Sequence, residues 1–421
     1  MANKAYPPSI CPGIPRLGKC PSGWTTCTFN DILTVVERLV PIDDDTVYQL
    51  VTAKRNRGGI VPREQLKGRE IKTQGQYAVR AGDFLIGNRQ IIHGACGIVP
   101  ESLDGAIVSG EYTVLLPKKD LYLPWLSYFA HTVHFQQTCF QSSIGVDVEK
   151  MVFKVDWWLK QRLHVPPLAE QKKIVAILSN WDTAIEQTRT LAVAAKRFKK
   201  ALMMQLLTGQ KRLSRFRVDW QRSKLEEVCE INPSLPSHDE LGGKMPKSVP
   251  FLRMEDVTED GRIIRYRQIA KTTRSGGYTQ FINDDVLVAK ITPCFENGKG
   301  CQVSELPAPY GLGSTEFHTL RPGPGVTPEI LYHITQSQTF RDKGQAFMTG
   351  SAGQKRVPAE FIASYAIALP TLPEQRAIAA ILSTADDEIR QLEAKAEALE
   401  RQKKGLMQKL LTGEIRTRQT R

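Results

Sequence analysis

The chain has 421 residues, 57 of them Lys or Arg and 44 Asp or Glu, for a formal net charge of +13 at neutral pH. A hydrophobic fraction of 41% supplies ordinary buried cores and excludes wholesale disorder. No apolar run reaches the ~18 residues that a membrane-spanning helix needs, while the basic excess points to a polyanion, above all nucleic acid, unless it serves only as solubilising surface charge.

Residues 1–20 form a Pro- and Cys-containing leader. Met1-Ala2-Asn3-Lys4-Ala5-Tyr6-Pro7-Pro8 lacks the apolar core of a signal peptide, so a cytoplasmic location is expected. The eight Cys form no Cys-x-x-Cys pair and fit small buried side chains in a reducing compartment. Cys11, Cys20 and Cys27 lie close together, but no His or further Cys stands at zinc-finger spacing, so no structural metal is expected. The leader is expected to fray as a loose tail, the alternative being a strap running to the second long helix.

Residues 21–163 read as a strand-rich globule with some helix, because short β-branched runs alternate with Gly, Pro and Asn. Gly82-Asp83-Phe84-Leu85-Ile86 and Ser109-Gly110-Glu111-Tyr112-Thr113-Val114-Leu115 are its clearest strand patches, and Ser143-Ile144-Gly145 closes it. Residues 164–213 read as one long helix. The globule pattern returns over 214–367 as Asp284-Asp285-Val286-Leu287-Val288, Gly313-Ser314-Thr315-Glu316-Phe317-His318-Thr319-Leu320 and the closing Ser351-Ala352-Gly353. A second long helix and a short tail occupy 368–421.

The two helical segments are copies. Val165-Pro166-Pro167-Leu168-Ala169-Glu170-Gln171 recurs as Leu369-Pro370-Thr371-Leu372-Pro373-Glu374-Gln375, and Leu206-Leu207-Thr208-Gly209 as Leu410-Leu411-Thr412-Gly413, at one ungapped offset of 204 residues. Such identity marks an internal duplication. Prolines sit at the start of the first copy, Thr371 and Glu374 have capping-box spacing in the second, and both copies end at a Gly. About forty residues at ~1.5 Å each give a rod of roughly 60 Å.

Within the first copy Ile174, Leu178, Trp181, Ile185, Thr188, Ala192, Ala195, Lys199, Leu202 and Leu206 alternate in steps of four and three. Within the second, Ile378, Leu382, Ala385, Ile389, Leu392, Ala396, Leu399, Lys403, Leu406 and Leu410 do the same. This is a coiled-coil seam. Lys199 and Lys403 interrupt it at equivalent places, either to fix register or as snorkelling side chains at a frayed end. Pairing of the two copies under a pseudo-two-fold axis predicts an antiparallel coiled coil; a parallel pair and pairing with another subunit stay open. The fold class is thus α+β, two strand-rich globules separated by two paired long helices.

Phosphate and base contacts call for Lys, Arg and amides in loops. The first globule offers Lys54, Arg55, Asn56 and Arg57 before Gly58-Gly59, with Arg63, Arg80 and Arg89 as weaker candidates; the second offers Arg274, Lys290, Gln354, Lys355 and Arg356. A solvated loop is the plain alternative for the first group, and a cap over the helix start for the last. Val146-Asp147-Val148 stands where the second globule has Gln354-Lys355-Arg356, so the two closing loops are not chemically alike. Lys196-Arg197-Phe198-Lys199-Lys200, matched by Glu400-Arg401-Gln402-Lys403-Lys404, reads as the exposed face of the coiled coil, the alternative being a place near DNA.

Catalytic constellations are not found. Asn232-Pro233-Ser234-Leu235 lacks the second Pro and aromatic ring of an adenine methyltransferase loop and reads as a turn. No phosphate-binding Gly-x-x-x-x-Gly-Lys-Ser/Thr is present, and Gly311-Leu312-Gly313-Ser314 is a poor nucleotide loop. Asp285 and Lys290 would supply two parts of a metal-dependent nuclease core, but Val288 occupies the place of its second acid; Asp83, Ile86 and Asn88 do no better. Among the seven His there is no metal or triad grouping, and His131 and His134 are expected to share a helix face.

The order globule–rod–globule–rod, with the Glu-Gln lead-in and Leu-Leu-Thr-Gly exit of each rod, resembles the specificity (S) subunit of type I restriction–modification enzymes. The likeness spans nearly the whole chain, strongest over 164–213 and 368–417. It implies that the globules are target recognition domains for the two halves of a bipartite double-stranded DNA target, and that the chain has no catalytic, cofactor or metal site. It also implies two methyltransferase (M) subunits that use S-adenosylmethionine, and restriction (R) subunits that use ATP and Mg. The competing readings are a DNA nuclease with a degenerate motif and a coiled-coil scaffold that does not bind DNA.

Overall fold

The computed structural model describes residues 6–73, 75–235, 248–270, 277–351 and 353–417. Both duplicated segments form single helices, Leu168–Leu206 and Leu372–Thr412. Each is followed by a glycine in the left-handed region, Gly209 at φ 71° and Gly413 at φ 75°, where a side chain would be strained.

The chain divides into two units: Met1–Gln187 with Ala396–Arg421, and Thr188–Lys395. The linear segments are thereby regrouped, because each unit combines one globule with part of both long helices. In the first unit Glu170 meets Arg416 and Asp182 meets Lys403, so the helix segments there run antiparallel. In the second unit Arg212 meets Glu374 and Lys199 meets Asp386, again antiparallel. The predicted seam is the buried face. Ile174, Leu178, Ile185, Leu206, Ile378, Leu382, Ile389 and Leu410 are buried, and Trp181, Leu202, Leu392, Leu399 and Leu406 are half-buried.

The two seam lysines do not fray. Lys199 Nζ lies 2.5 Å from Asp386, with side chains 14% and 13% exposed, and Lys403 pairs with Asp182, 18% and 49% exposed. A charge as enclosed as that of Lys199 is tolerated only with its counter-ion in place, so that pair selects one register, while the more open Lys403–Asp182 pair favours the same register more weakly.

The globules share one topology. In the first, Thr25–Thr28 pairs with Arg162–Val165. A four-stranded sheet runs Leu33–Val36, Tyr112–Pro117, Phe84–Gly87, Cys96–Ile98, and a five-stranded sheet runs Leu39–Val40, Gln76–Ala78, Ile107–Ser109, Val47–Ala53, Ile60–Lys67. In the second, Gln221–Lys224 pairs with Ala366–Leu369. Its sheets run Cys229–Ile231, Phe317–Pro322, Val286–Ala289, Gly300–Gln302 and Arg267–Ala270, Ser248–Leu252, Gly311–Gly313, Thr279–Phe281. Strand follows strand in the same spatial order, including one parallel pairing in each globule. Among its described residues the second globule has no strand counterpart of the edge strand Leu39–Val40 or of the small antiparallel pair Ser143–Ile144 and Val152–Phe153, and only isolated bridges to Arg356 form in its closing segment.

The recurring Asp marks the turn into the central strand. Asp83 accepts from the Arg80 amide and pairs with Arg38; Asp285 accepts from the Ile282 amide and pairs with Arg321 through both oxygens. Asp285 is therefore enclosed in an ion pair. It does not face an open site, which removes the acid on which the nuclease reading leaned.

The repeated Glu-Gln has two separate jobs. Gln171 accepts from the Tyr122 amide and donates to the carbonyls of Asp120 and Pro166; Gln375 accepts from the Thr327 amide and donates to those of Gly325 and Pro370. One buried amide thus satisfies three backbone groups and binds helix to globule. Glu170 accepts from Trp24 Nε1 and from Arg416, whose guanidinium also lies over the Trp24 ring. Glu374 accepts from Arg212, which lies over Trp220. Both oxygens of Glu374 are thus taken by Arg212, which places that carboxylate in a clasp and gives its capping-box spacing with Thr371 a different use.

Aromatic side chains fill the first core. Trp125 and Trp158 are fully buried, and Trp158 stacks on Phe29 with centroids 4.0 Å apart. Truncating a ring so enclosed costs about 3–5 kcal/mol.

Two expectations are corrected here. The leader is not a loose tail over its described part: Ile10 is buried against Ile92 and Met151, Ser9 bonds His93, and the Gly18 carbonyl accepts from His164. Arg416 donates to the Ser22 carbonyl, and Pro21 lies at Gly413, so the segment that follows the leader directly is tied to the end of the second long helix, as the strap alternative requires. Burial of Ile10 in this apolar cluster, with the hydrogen bonds on either side of it, outweighs the tendency of termini to fray. His131 and His134 do not share a helix face either, since His131 precedes the helix Val133–Gln141, capped by Thr132.

Candidate nucleic-acid interface

In the first unit, Lys54–Gly59 is the turn between the antiparallel strands Val47–Ala53 and Ile60–Lys67. The Lys54 amide donates to Gly59, and Asn56 and Arg57 both adopt φ 58°. Arg57 is its anchor. Its Nε donates to the Ala130 carbonyl at 3.1 Å, its amide donates to Gly94, and burial lowers its pKa. Arg55 pairs with Glu149 at 2.6 Å, both about half exposed, while Lys54 and Asn56 are exposed. The four candidates thus divide into one internal arginine, one paired arginine and two solvent-facing groups.

The second unit brings its candidates together more closely. Lys290 ends the strand Val286–Ala289; its amide donates to the Glu316 carbonyl, and its Nζ to that of Thr315 at 3.0 Å. Burial pulls its pKa down, and Arg356 pulls the same way against Glu316. Arg356 grips Glu316 with two bonds of 2.9 and 2.8 Å, which hold that carboxyl below its usual range. Gln354 and Lys355 are exposed beside it. Arg274 lies outside the described residues.

Lys290 opens onto a groove of about 500 Å³ lined also by Asn232, Ser234, Tyr278, Gln280 and Thr315. Asn232 is the turn residue expected from its Pro: at φ 50° it accepts from the Thr319 amide and bonds His318. Hydroxyls, amides and a cation with little apolar wall suit a sugar–phosphate chain or base edges better than a small apolar ligand. None of the described His, Cys, Asp and Glu cluster as a metal site.

Some functional candidates escaped the sequence reading. Glu111 grips Arg89 through bonds of 2.6 and 3.0 Å, and its carbonyl accepts from the Asn88 amide, just as that of Glu316 accepts from Lys290. The signal lay in the aligned patches Glu111-Tyr112 and Glu316-Phe317, but their arginines come from different places in the chain.

The family model for the type I restriction modification DNA specificity domain matches residues 21–195 and again 217–401. The chain belongs to this family. The EcoAI specificity subunit of Escherichia coli is 36% identical over 161 residues, 38% of this chain and 26% of that protein. The EcoEI subunit of the same organism is 35% identical over 175 residues, 39% of this chain and 27% of its own; each match thus spans about a quarter of the relative. The putative MjaX specificity subunit of Methanocaldococcus jannaschii is 21% identical over 96% of both chains. A solved structure concerned with assembly and conformational transition of the type I R-M system superimposes with a TM-score of 0.61 at 19% identity, covering 94% of this chain and all of that one. The HsdS subunit from Thermoanaerobacter tengcongensis gives 0.51 at 18% identity, over 94% and 99%. These likenesses support the shared fold.

Proposed function

We propose that this specificity-family chain is the DNA-reading subunit of a type I restriction–modification complex and carries no catalysis of its own. Each strand-rich unit reads one half of a bipartite double-stranded target. Two methyltransferase subunits dock on the chain, supplying S-adenosylmethionine chemistry, and restriction subunits supply ATP- and Mg-dependent cleavage in the cytoplasm. The observation that carries this reading is the duplication itself: two units of one topology, each matching the specificity-domain family and each offering basic and amide side chains on its surface. Half-site spacing is set by the length of the two long helices.

Binding of the full chain to DNA tests it. Affinity should fall with salt at about 0.9 log units per phosphate contact. DNA cleavage or methylation by this chain alone, given Mg²⁺, ATP and S-adenosylmethionine, overturns the non-catalytic role, and salt-independent or absent binding with its partners present overturns DNA reading. Excising one heptad from both long helices should shift the preferred gap between half-sites; an unchanged gap refutes the spacer role.

A further inference from the structure

The two globules place a glutamate at the same topological point. Glu111 lies at the turn before the strand Tyr112–Pro117, and Glu316 just before Phe317–Pro322. Each lends its carbonyl to the residue after the central strand, Asn88 in one and Lys290 in the other. The residue so held accepts in turn from the closing segment, through Phe153 or Val357. The equivalence therefore rests on backbone bonds and does not depend on sequence likeness.

At that point each glutamate holds one arginine by two parallel bonds. Arg89 and Glu111 are 58% and 50% exposed, and Arg356 and Glu316 are 47% and 25% exposed. Arg89 follows Asn88 in the chain, whereas Arg356 comes from the closing loop across the unit. Two different routes thus deliver the same device to the same place.

The device has definite chemistry. A guanidinium beside a carboxylate contributes little net charge, so it is a poor phosphate anchor. Its planar fork is nevertheless held in one orientation, with a face and N–H groups still open to solvent. That suits bidentate donation to the O6 and N7 acceptors of guanine, where orientation rather than charge decides affinity. We infer that Arg89 and Arg356 are specificity-determining base readers of their respective units, oriented by Glu111 and Glu316. This rests on the DNA-reading function proposed above.

The test uses the full chain with its methyltransferase partners, mapping modified positions in cellular DNA and measuring DNA binding against salt. Arg356→Ala should relax one guanine-containing position in one half-site, lower discrimination there by about 5- to 150-fold, and leave the salt slope unchanged. Arg89→Ala should do the same in the other half-site. Arg356→Lys, which keeps the charge, should also lose discrimination, and Glu316→Gln should lose less; both serve as controls if the alanine variant folds poorly. A salt slope reduced by about 0.9 with the motif intact makes the arginine a phosphate contact and overturns the inference. So does an unchanged motif in both Arg→Ala variants. A wild-type complex with no sequence motif at all overturns the DNA-reading function instead, a result that does not depend on either arginine.

Discussion

The two units differ where a target would be touched and agree where the chain must hold together. The Glu170–Arg416 pair with its arginine over Trp24 is matched by Glu374–Arg212 over Trp220, although only Trp24 also donates to its glutamate, and Gln171 repeats Gln375. At the surface, Asn88 stands in place of Lys290 and the glutamate-held arginine arrives by different routes. Duplication preserved the buried polar joints, because a change in any one leaves several groups unsatisfied. It left the exposed face free to diverge, so the two halves of a target are expected to differ in sequence.

The largest expected effect breaks the joints. Gln171→Ala and Gln375→Ala each strand three backbone partners, one amide and two carbonyls, and should each cost about 2–4 kcal/mol in denaturant melts. A cost in only one unit would show that the repeated motif is equivalent in sequence alone.

The seam pairs sharpen the comparison. Asp386→Ala leaves Lys199 enclosed without its counter-ion and should destabilise the second unit by about 2–3 kcal/mol. Asp182→Ala should cost about 1 kcal/mol, since Asp182 is 49% exposed and water reaches Lys403 more readily. Asp182 also accepts from the Tyr128 hydroxyl at 2.7 Å, so the comparison is made in a Tyr128→Phe background; equal costs there would mean that solvent access does not govern these pairs.

Acid should act on the first clasp. Burial raises the Glu170 carboxyl, but the Arg416 and Trp24 hydrogen bonds outweigh it, and the pKa lies below its ordinary 4.5. A carboxylate depressed on folding contributes stability above its unfolded pKa and loses it as pH falls through the folded value. Melting temperature should therefore drop below about pH 4.5, and Glu170→Gln, with a lower starting value, should drop less over the same window. A parallel pH profile for the two proteins would exclude the clasp as a source of acid sensitivity.

The smallest effect lies at the surface. Lys355→Ala should leave melting unchanged and reduce the salt slope of DNA binding by about 0.9 at most. A change in sequence preference in this variant would move the reading of bases to the closing loop.

Much of the frame was legible in the sequence. The offset between copies gave both long helices and their seam, and repeated Asp and strand patches gave the paired globules. These are local patterns of period and identity. The residues that meet at each joint were not legible, because Arg416 reaches Glu170 and Arg212 reaches Glu374 only after the chain has folded back. The ordering of the leader was not legible for the same reason, as Ile92 and Met151, which bury Ile10, lie far along the chain. Arg57 looked like a surface cation from its neighbours Lys54 and Arg55, but the carbonyl of Ala130 claims it.

By itself, the order of residues determined the duplication, the helical rods with their apolar stripe, and the basic balance that favours a polyanion. Tertiary structure alone decided the antiparallel sense within each unit, the counter-ions of the two seam lysines, and which arginines are bound inward and which stand fixed at the surface. Periodicity and charge are properties of neighbours along the chain, whereas an ion pair or a base-facing fork needs two distant segments brought to hydrogen-bond distance.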